Sequence, residues 1–205
     1  MSKKSFSVLS MLILAVLMAA IAAGCAQKSP GDFTNEPDKS MEKAHESFVK
    51  GDINKAADYI HKAAAYVKEE ADKVAKDAKE GVKRAGDDLD KLGQGIKKGT
   101  VKSGDELKKT FAKVDHELAK AWHKTAAEAK KSGKDASHPV KKSGAALEDA
   151  AKWSGTQLKE GVQASVEAVK KIGKGAEKAV KAGAEEVDKL LKGIGEGIED
   201  LGRKL

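Results

Sequence analysis

Residues 53–78 read INKAADYIHKAAAYVKEEADKVAKDA. Within them Ile53, Ala57, Ile60, Ala64, Val67, Ala71, Val74 and Ala78 recur at alternating steps of four and three. Such a heptad stripe is the seam of a helix that packs against near-parallel or antiparallel partners. The step from Ala78 to Val82 is four rather than three, a stutter that locally unwinds a supercoil. Ala85, Leu89, Leu92 and Ile96 then carry the stripe towards Gly99, so one long helix is expected over 52–97.

On the N-terminal side, Pro37 suits the first turn of a helix. Met41, Ala44, Phe48 and Val49 make its apolar side and Gly51-Asp52 stops it, which gives a helix over 37–50. On the C-terminal side, Ser103 and Glu106 form a capping box for a helix over 103–132. Leu107, Phe111, Val114, Leu118, Ala121 or Trp122, and Thr125 supply its stripe; Ser132-Gly133 ends it, and Ser137-His138-Pro139 reads as a linker.

The remainder repeats every eleven residues, with Leu147, Leu158, Val169, Val180 and Leu191 in one register and Lys159, Lys170, Lys181, Lys192 and Arg203 in another. That period is about 3.67 residues per turn and predicts a nearly straight helix, here over 140–192. Gly193, Gly195 and Gly197 follow. Each glycine costs about 0.8–1 kcal/mol against alanine in a helix interior, so residues 193–205 are expected to fray, break or depend on a partner. The expected fold is all-α: an elongated antiparallel bundle of three to four long amphipathic helices spanning 37–205.

Two resemblances lie within the helices. Ala44, Phe48, Gly51, Asp52, Ile53, Lys55, Ala56, Tyr59, Ile60, Lys62 and Ala63 resemble the inner part of a tetratricopeptide repeat. No copy recurs 34 residues on, so the resemblance implies one helix hairpin rather than a peptide-binding solenoid. Lys79-Glu80-Gly81-Val82 and Lys159-Glu160-Gly161-Val162 resemble the core of synuclein repeats, and the eleven-residue pattern is similar to apolipoproteins and late-embryogenesis-abundant proteins. That likeness implies a membrane-surface-binding or stress-protective helix. The charges argue instead for a bundle: Glu177 and Lys181, Asp188 and Lys192, Glu199 and Arg203 are i,i+4 pairs with the acid first. The apolar side also carries Ala, Val and Gly rather than the Trp, Phe and Leu of a lipid-surface helix.

Charged residues make up 35% and aromatics 4% of the 205 residues, and the net charge is +7. Basic residues interleaved with acids, with few rings to stack on bases, exclude nucleic acid as a partner. The glycines follow no strand and lack a phosphate-binding lysine at the required spacing, so no nucleotide or other cofactor is expected. His116 and His123 stand about 10 Å apart by helical rise, too far to grip one metal ion. Asp115-His116-Glu117 are helix neighbours that point to different sides. No catalytic residue, metal site or small-molecule substrate is expected, and the chain does not read as an enzyme.

The N-terminus reads as an address. Lys3 and Lys4 precede an apolar run from Met11 to Ala23, closed by Ala22-Ala23-Gly24-Cys25. The run is shorter than the roughly 20 residues of a membrane span and suits a signal peptide. It resembles the signal of bacterial lipoproteins, whose lipobox ends at a lipidated cysteine. The resemblance implies a signal over 1–24, cleavage between Gly24 and Cys25, and acyl chains on Cys25, the single cysteine. Residues 25–36 then form a lipidated start and flexible tether. Ala26, where Asp would favour inner-membrane retention, implies the outer membrane facing the periplasm in a Gram-negative cell. The function expected from sequence is a lipid-anchored cell-envelope protein. Its role is structural or protein-binding through long helical faces, with an envelope protein or a second copy as partner.

Overall fold

Seven α-helices make up the residues described by the computed structural model, 36–172 and 184–205. They are α1 (Glu36–Val49), α2 (Ile53–Glu70), α3 (Lys79–Lys97), α4 (Gly104–Lys131), α5 (Ser137–Ser154), α6 (Glu160–Ile172) and α7 (Ala184–Gly202). No strand occurs among the described residues, and the all-α expectation holds. The helices are shorter and more numerous than three to four long ones. The signal, Gly24, Cys25 and the tether up to residue 35 lie outside the described residues, as does Val180.

Helix ends follow one local rule. Gly51, Gly99, Gly133 and Gly155 all take positive φ, between +66° and +81°. In each case the next residue's N–H donates to the carbonyl five positions back: Asp52 to Ser47, Thr100 to Gly95, Lys134 to Ala129 and Thr156 to Ala151, at 2.8–3.0 Å. This is the Schellman closure, which satisfies a terminal carbonyl and requires the left-handed conformation that only glycine adopts without strain. At the other end of α4, Ser103 Oγ accepts from the Glu106 N–H at 3.3 Å, as the capping box predicts. The Glu106 carboxylate returns to the Lys102 N–H, one residue further out than a reciprocal box would place it.

The helix expected over 52–97 is two helices. Turns over 71–78 separate α2 from α3. The Ala75 N–H donates to Thr125 Oγ1 of α4 at 2.8 Å instead of continuing a helical ladder. The two halves then fold back on each other. Lys68 bonds Asp87 and Asp90 at 2.7 Å, His61 Nδ1 meets Asp90 at 2.8 Å, and Lys97 reaches Asp58 at 3.1 Å. A single rod would expose half of the stripe; the hairpin buries Ala57, Ile60, Ala64 and Val67 against Val82, Leu89 and Ile96.

The helix expected over 140–192 is likewise divided. Ser137-His138-Pro139 is not a linker but the first turn of α5, where a proline is well tolerated. Gly155 ends that helix, and α6 starts at Glu160. The eleven-residue period survives as a burial pattern. Leu147 in α5, Val169 in α6 and Leu191 in α7 are all buried, although they sit on different helices.

Residues 193–202 are helical, against the expectation of a frayed end. Their glycines let neighbours approach. A methyl group at Gly197 would come within 2.5 Å of Val162 and 2.7 Å of Leu147. Packing at that closeness offsets the intrinsic cost of glycine, and Ile194, Ile198 and Leu201 are buried beside it. The ion pairs differ as well: Asp188 binds Lys130 of α4 rather than Lys192, and Arg203 binds Asp200 rather than Glu199. Glu177 and Lys181 lie outside the described residues.

Glycine substitutions separate these roles. Gly155→Ala should destabilise the fold by about 1–2 kcal/mol, the penalty for a Cβ in the left-handed region. Gly161→Ala, a helical site with nothing within 4 Å of the added methyl, should stabilise it by about 0.5–1 kcal/mol. Urea denaturation of the two variants beside the parent chain measures both.

Candidate functional site

Aspartate is a poor residue for the packed side of a helix, because its ionised form must be desolvated there. Three helices nevertheless bring an aspartate to one place: Asp38 from the first turn of α1, Asp115 from the middle of α4 and Asp149 from α5. Asp115 is 0% and Asp38 7% exposed. Among the described residues, no protein donor meets either carboxyl group in its ionised form. The groups within reach are the carboxyls themselves: Asp38 faces both Asp115 and Asp149. Trp153, against Phe111 at 5.0 Å and His45 at 5.9 Å between ring centroids, closes the neighbourhood, with its indole N–H buried and lacking an acceptor.

Burial is the main force on these groups. It holds Asp38 and Asp115 well above the usual carboxylate range; the charge of Asp149 pushes both the same way, and that of Asp38 also raises Asp115, while a hydrogen bond with Asp115 draws Asp38 back. The N-terminus of α1 favours an ionised Asp38, yet desolvation outweighs it. Asp149, half-buried, is raised by burial to about 6, against the pull of Lys152. Lys152, whose charge reaches Asp115 and Asp149, is bound to Glu42 of α1. Among the described residues the cluster thus places more carboxyls than cations together, and each carboxyl bears on the ionisation of its neighbours. Among the described residues no group of three His, Cys, Asp or Glu side chains is set to hold a metal ion.

Each of these aspartates is legible as an exception to an apolar stripe. Asp38 stands three residues before Met41, Asp115 four after Phe111 and Asp149 four before Trp153, and all three neighbours are buried. Sequence reasoning assigned none of them a role. It did separate the Asp115-His116-Glu117 trio, and the structure sends these side chains apart: Asp115 into the core, His116 to α7 and Glu117 to Lys120.

The histidines form a second arrangement that the spacing only hinted at. His116 Nε2 lies 2.8 Å from the Ile198 carbonyl oxygen, and His123 Nε2 lies 2.9 Å from that of Leu191. Four residues beyond each carbonyl stands a glycine, Gly202 and Gly195. A methyl there would approach the same rings to 2.9 and 3.2 Å. The seven-residue step between the histidines thus matches a seven-residue step between glycines on α7, and the rings enter through the missing side chains. His61 over Gly93 and His45 over Gly104 repeat the contact at 3.1 and 3.0 Å from the would-be methyl. Trp122 and Trp153 pack separately, Trp122 edge-on to His138 and Trp153 against Phe111.

A groove of about 760 Å³ opens between α3 and α4. Arg84, Lys91, Lys113 and Lys120 line it together with Asp87, Asp88 and Glu117, so its charge selects neither anions nor cations.

A family model described as suprabasin, GxHH repeat, matches residues 18–205. No Gly-x-His-His run occurs in the chain, whose five histidines stand singly. No curated protein and no solved structure matches it.

His123→Ala removes one hydrogen bond to α7 and should cost about 0.5–1.5 kcal/mol. Hydrogen exchange of the amides from Leu191 to Gly202 should accelerate more than that of α2.

Proposed function

We propose that this chain, which belongs to the suprabasin GxHH repeat family, is a lipid-anchored cell-envelope protein with a structural or protein-binding role, held at the membrane by acyl chains on Cys25. The observation that carries this reading is the fate of the apolar stripe of α7, which could have served lipid. In α7, Leu190, Leu191, Ile194, Ile198 and Leu201 are buried among the other helices. To reach a lipid surface they would have to leave the core, at about 25 cal/mol for each Å² of apolar area re-exposed.

What the helices offer outward is charge. Among the described residues, Val49 and Ile53, at the tip of the α1–α2 hairpin, are the exposed large apolar side chains. No described helix is long and apolar enough to cross a membrane. Cross-helix pairs such as Lys170 with Glu148 and Lys159 with Asp200 cover the surface with alternating signs. Such faces suit a protein partner or a second copy of the chain better than an anionic lipid. Attachment then falls to Cys25, where two or more acyl chains anchor stably and one does not.

Expressed in a bacterium that processes lipoproteins, the full-length chain should incorporate labelled palmitate and sediment with membranes. Cys25→Ser should do neither and should move to the soluble fraction. Membrane retention of Cys25→Ser together with binding of the protein to bare vesicles would overturn this reading in favour of a lipid-surface protein.

A further inference from the structure

The carboxyl cluster joins the first turn of α1 to two helices far along the chain, and among the described residues no cation bonds the carboxyls of Asp38 and Asp115 at its centre. We propose that Asp38, Asp115 and Asp149 form a proton-operated clasp: protonated carboxyls hydrogen-bond in series and hold the start of α1 against α4 and α5, and ionised ones repel and release it.

The geometry supplies the parts. Asp115 and Asp38 are buried and, among the described residues, meet no hydrogen-bond donor in their ionised forms, so each faces the other, and both feel the charge of Asp149. A protonated carboxyl changes this, because it becomes a donor to the next carboxylate. Glu42 on α1 and Glu148 on α5 add negative charge, and Lys152 on α5 is shared with Glu42. From α2, Tyr59 faces α1 with Lys43 over its ring. His45, one helical face further along α1, is influenced by Lys108 and Asp105 of α4 and by Glu46. Asp149, the most accessible of the three, ionises first, and its charge then bears on Asp38.

The direction of the response follows from linkage. A carboxyl held above its unfolded value binds its proton more tightly in the native state, so stability is full below the unfolded pKa and is lost as pH rises towards the folded one. With Asp149 at about 6 and the other two also raised, the loss runs from about pH 4 through neutrality. His45 and His138 work in the opposite sense. Burial and then nearby lysines hold both below their ordinary value, so their contribution grows as pH rises. The sign of the pH dependence therefore identifies the group responsible.

Thermal unfolding of the full-length chain in non-ionic detergent, followed by circular dichroism from pH 5 to pH 8, tests the clasp. Tm should fall by about 5 °C or more over that range. Asp115→Asn, which mimics the protonated carboxyl, should raise Tm at pH 8 and flatten the profile. Protection factors of the α1 amides should fall with pH in the parent chain and not in the variant. Asp149→Asn, at the accessible edge of the cluster, reads the same effect should the central substitution prevent folding. A parent Tm that is level or rises from pH 5 to pH 8 overturns the clasp. So does an Asn variant that lowers Tm equally at every pH. Cys25→Ser should keep the pH response of the parent, so failure of the anchor and failure of the clasp give different results.

Discussion

Small side chains at the helix contacts set how closely these helices stand, and the other features of the protein follow from that spacing. With few aromatic rings available, alanine is the commonest buried apolar residue among the described ones. A helix lined with alanine gains little from burial at ordinary distance, so it must approach its neighbour closely for dispersion and area to accumulate. Glycine extends the same logic. At Gly197 the neighbouring Val162 and Leu147 occupy the space a methyl would need, and at Gly195 and Gly202 histidine rings do. An apparent weakness of the chain, glycine inside helices, is where α7 is gripped.

Close helices also fix the electrostatics. On the surface, interleaved Lys, Asp and Glu meet across helix boundaries, as Lys68 does with Asp87 and Asp90. Pairs of this exposure contribute about 0–1 kcal/mol each and serve mainly to keep the surface compatible with water. They hold their acids in the ionised state: Lys159, Lys204 and Arg203 keep Asp200 far below the usual carboxylate range. Inside, at the meeting of α1, α4 and α5, the same residue type is forced the other way. Asp115 is fully buried and, among the described residues, has no hydrogen-bond donor, so burial disfavours its charged form. One chain thus holds aspartates at both extremes, with paired cations setting the one and burial the other.

The sequence exposed much of this and concealed a particular part. Gly51, Gly99 and Gly133 were legible as helix ends because a glycine after a periodic run is a strong stop. Gly155 has the same signature, Ser154-Gly155-Thr156, yet the eleven-residue repeat ran through it and masked the break. The stutter at Ala78 marked the right neighbourhood for the turn between α2 and α3, though a stutter and a reversal look alike in one dimension. His116 and His123 were seen to share a face, but what they face is 68 to 82 residues away in the chain. Asp38, Asp115 and Asp149 were visible as acids beside large apolar neighbours, and none of the three shows by itself that the others stand next to it.

Taken alone, the sequence determined the class of the fold, the start of α4 at Ser103, three of the helix stops and most of the apolar sides of α1 to α4, though Val49 and Ile53, expected on those sides, are exposed. Those properties depend on contacts within about one turn of helix, and a turn's worth of residues encodes them. Tertiary structure alone decided that α2 and α3 fold into a hairpin, that α7 holds as a helix through its glycines, that acids and bases pair across helices, and that Asp38 and Asp115 are buried beside Asp149. These outcomes depend on which distant segments come within a few ångströms of each other. A Thr125 hydroxyl capturing the Ala75 N–H, or a histidine ring filling the space over a glycine, has no signal within the local stretch that it reshapes.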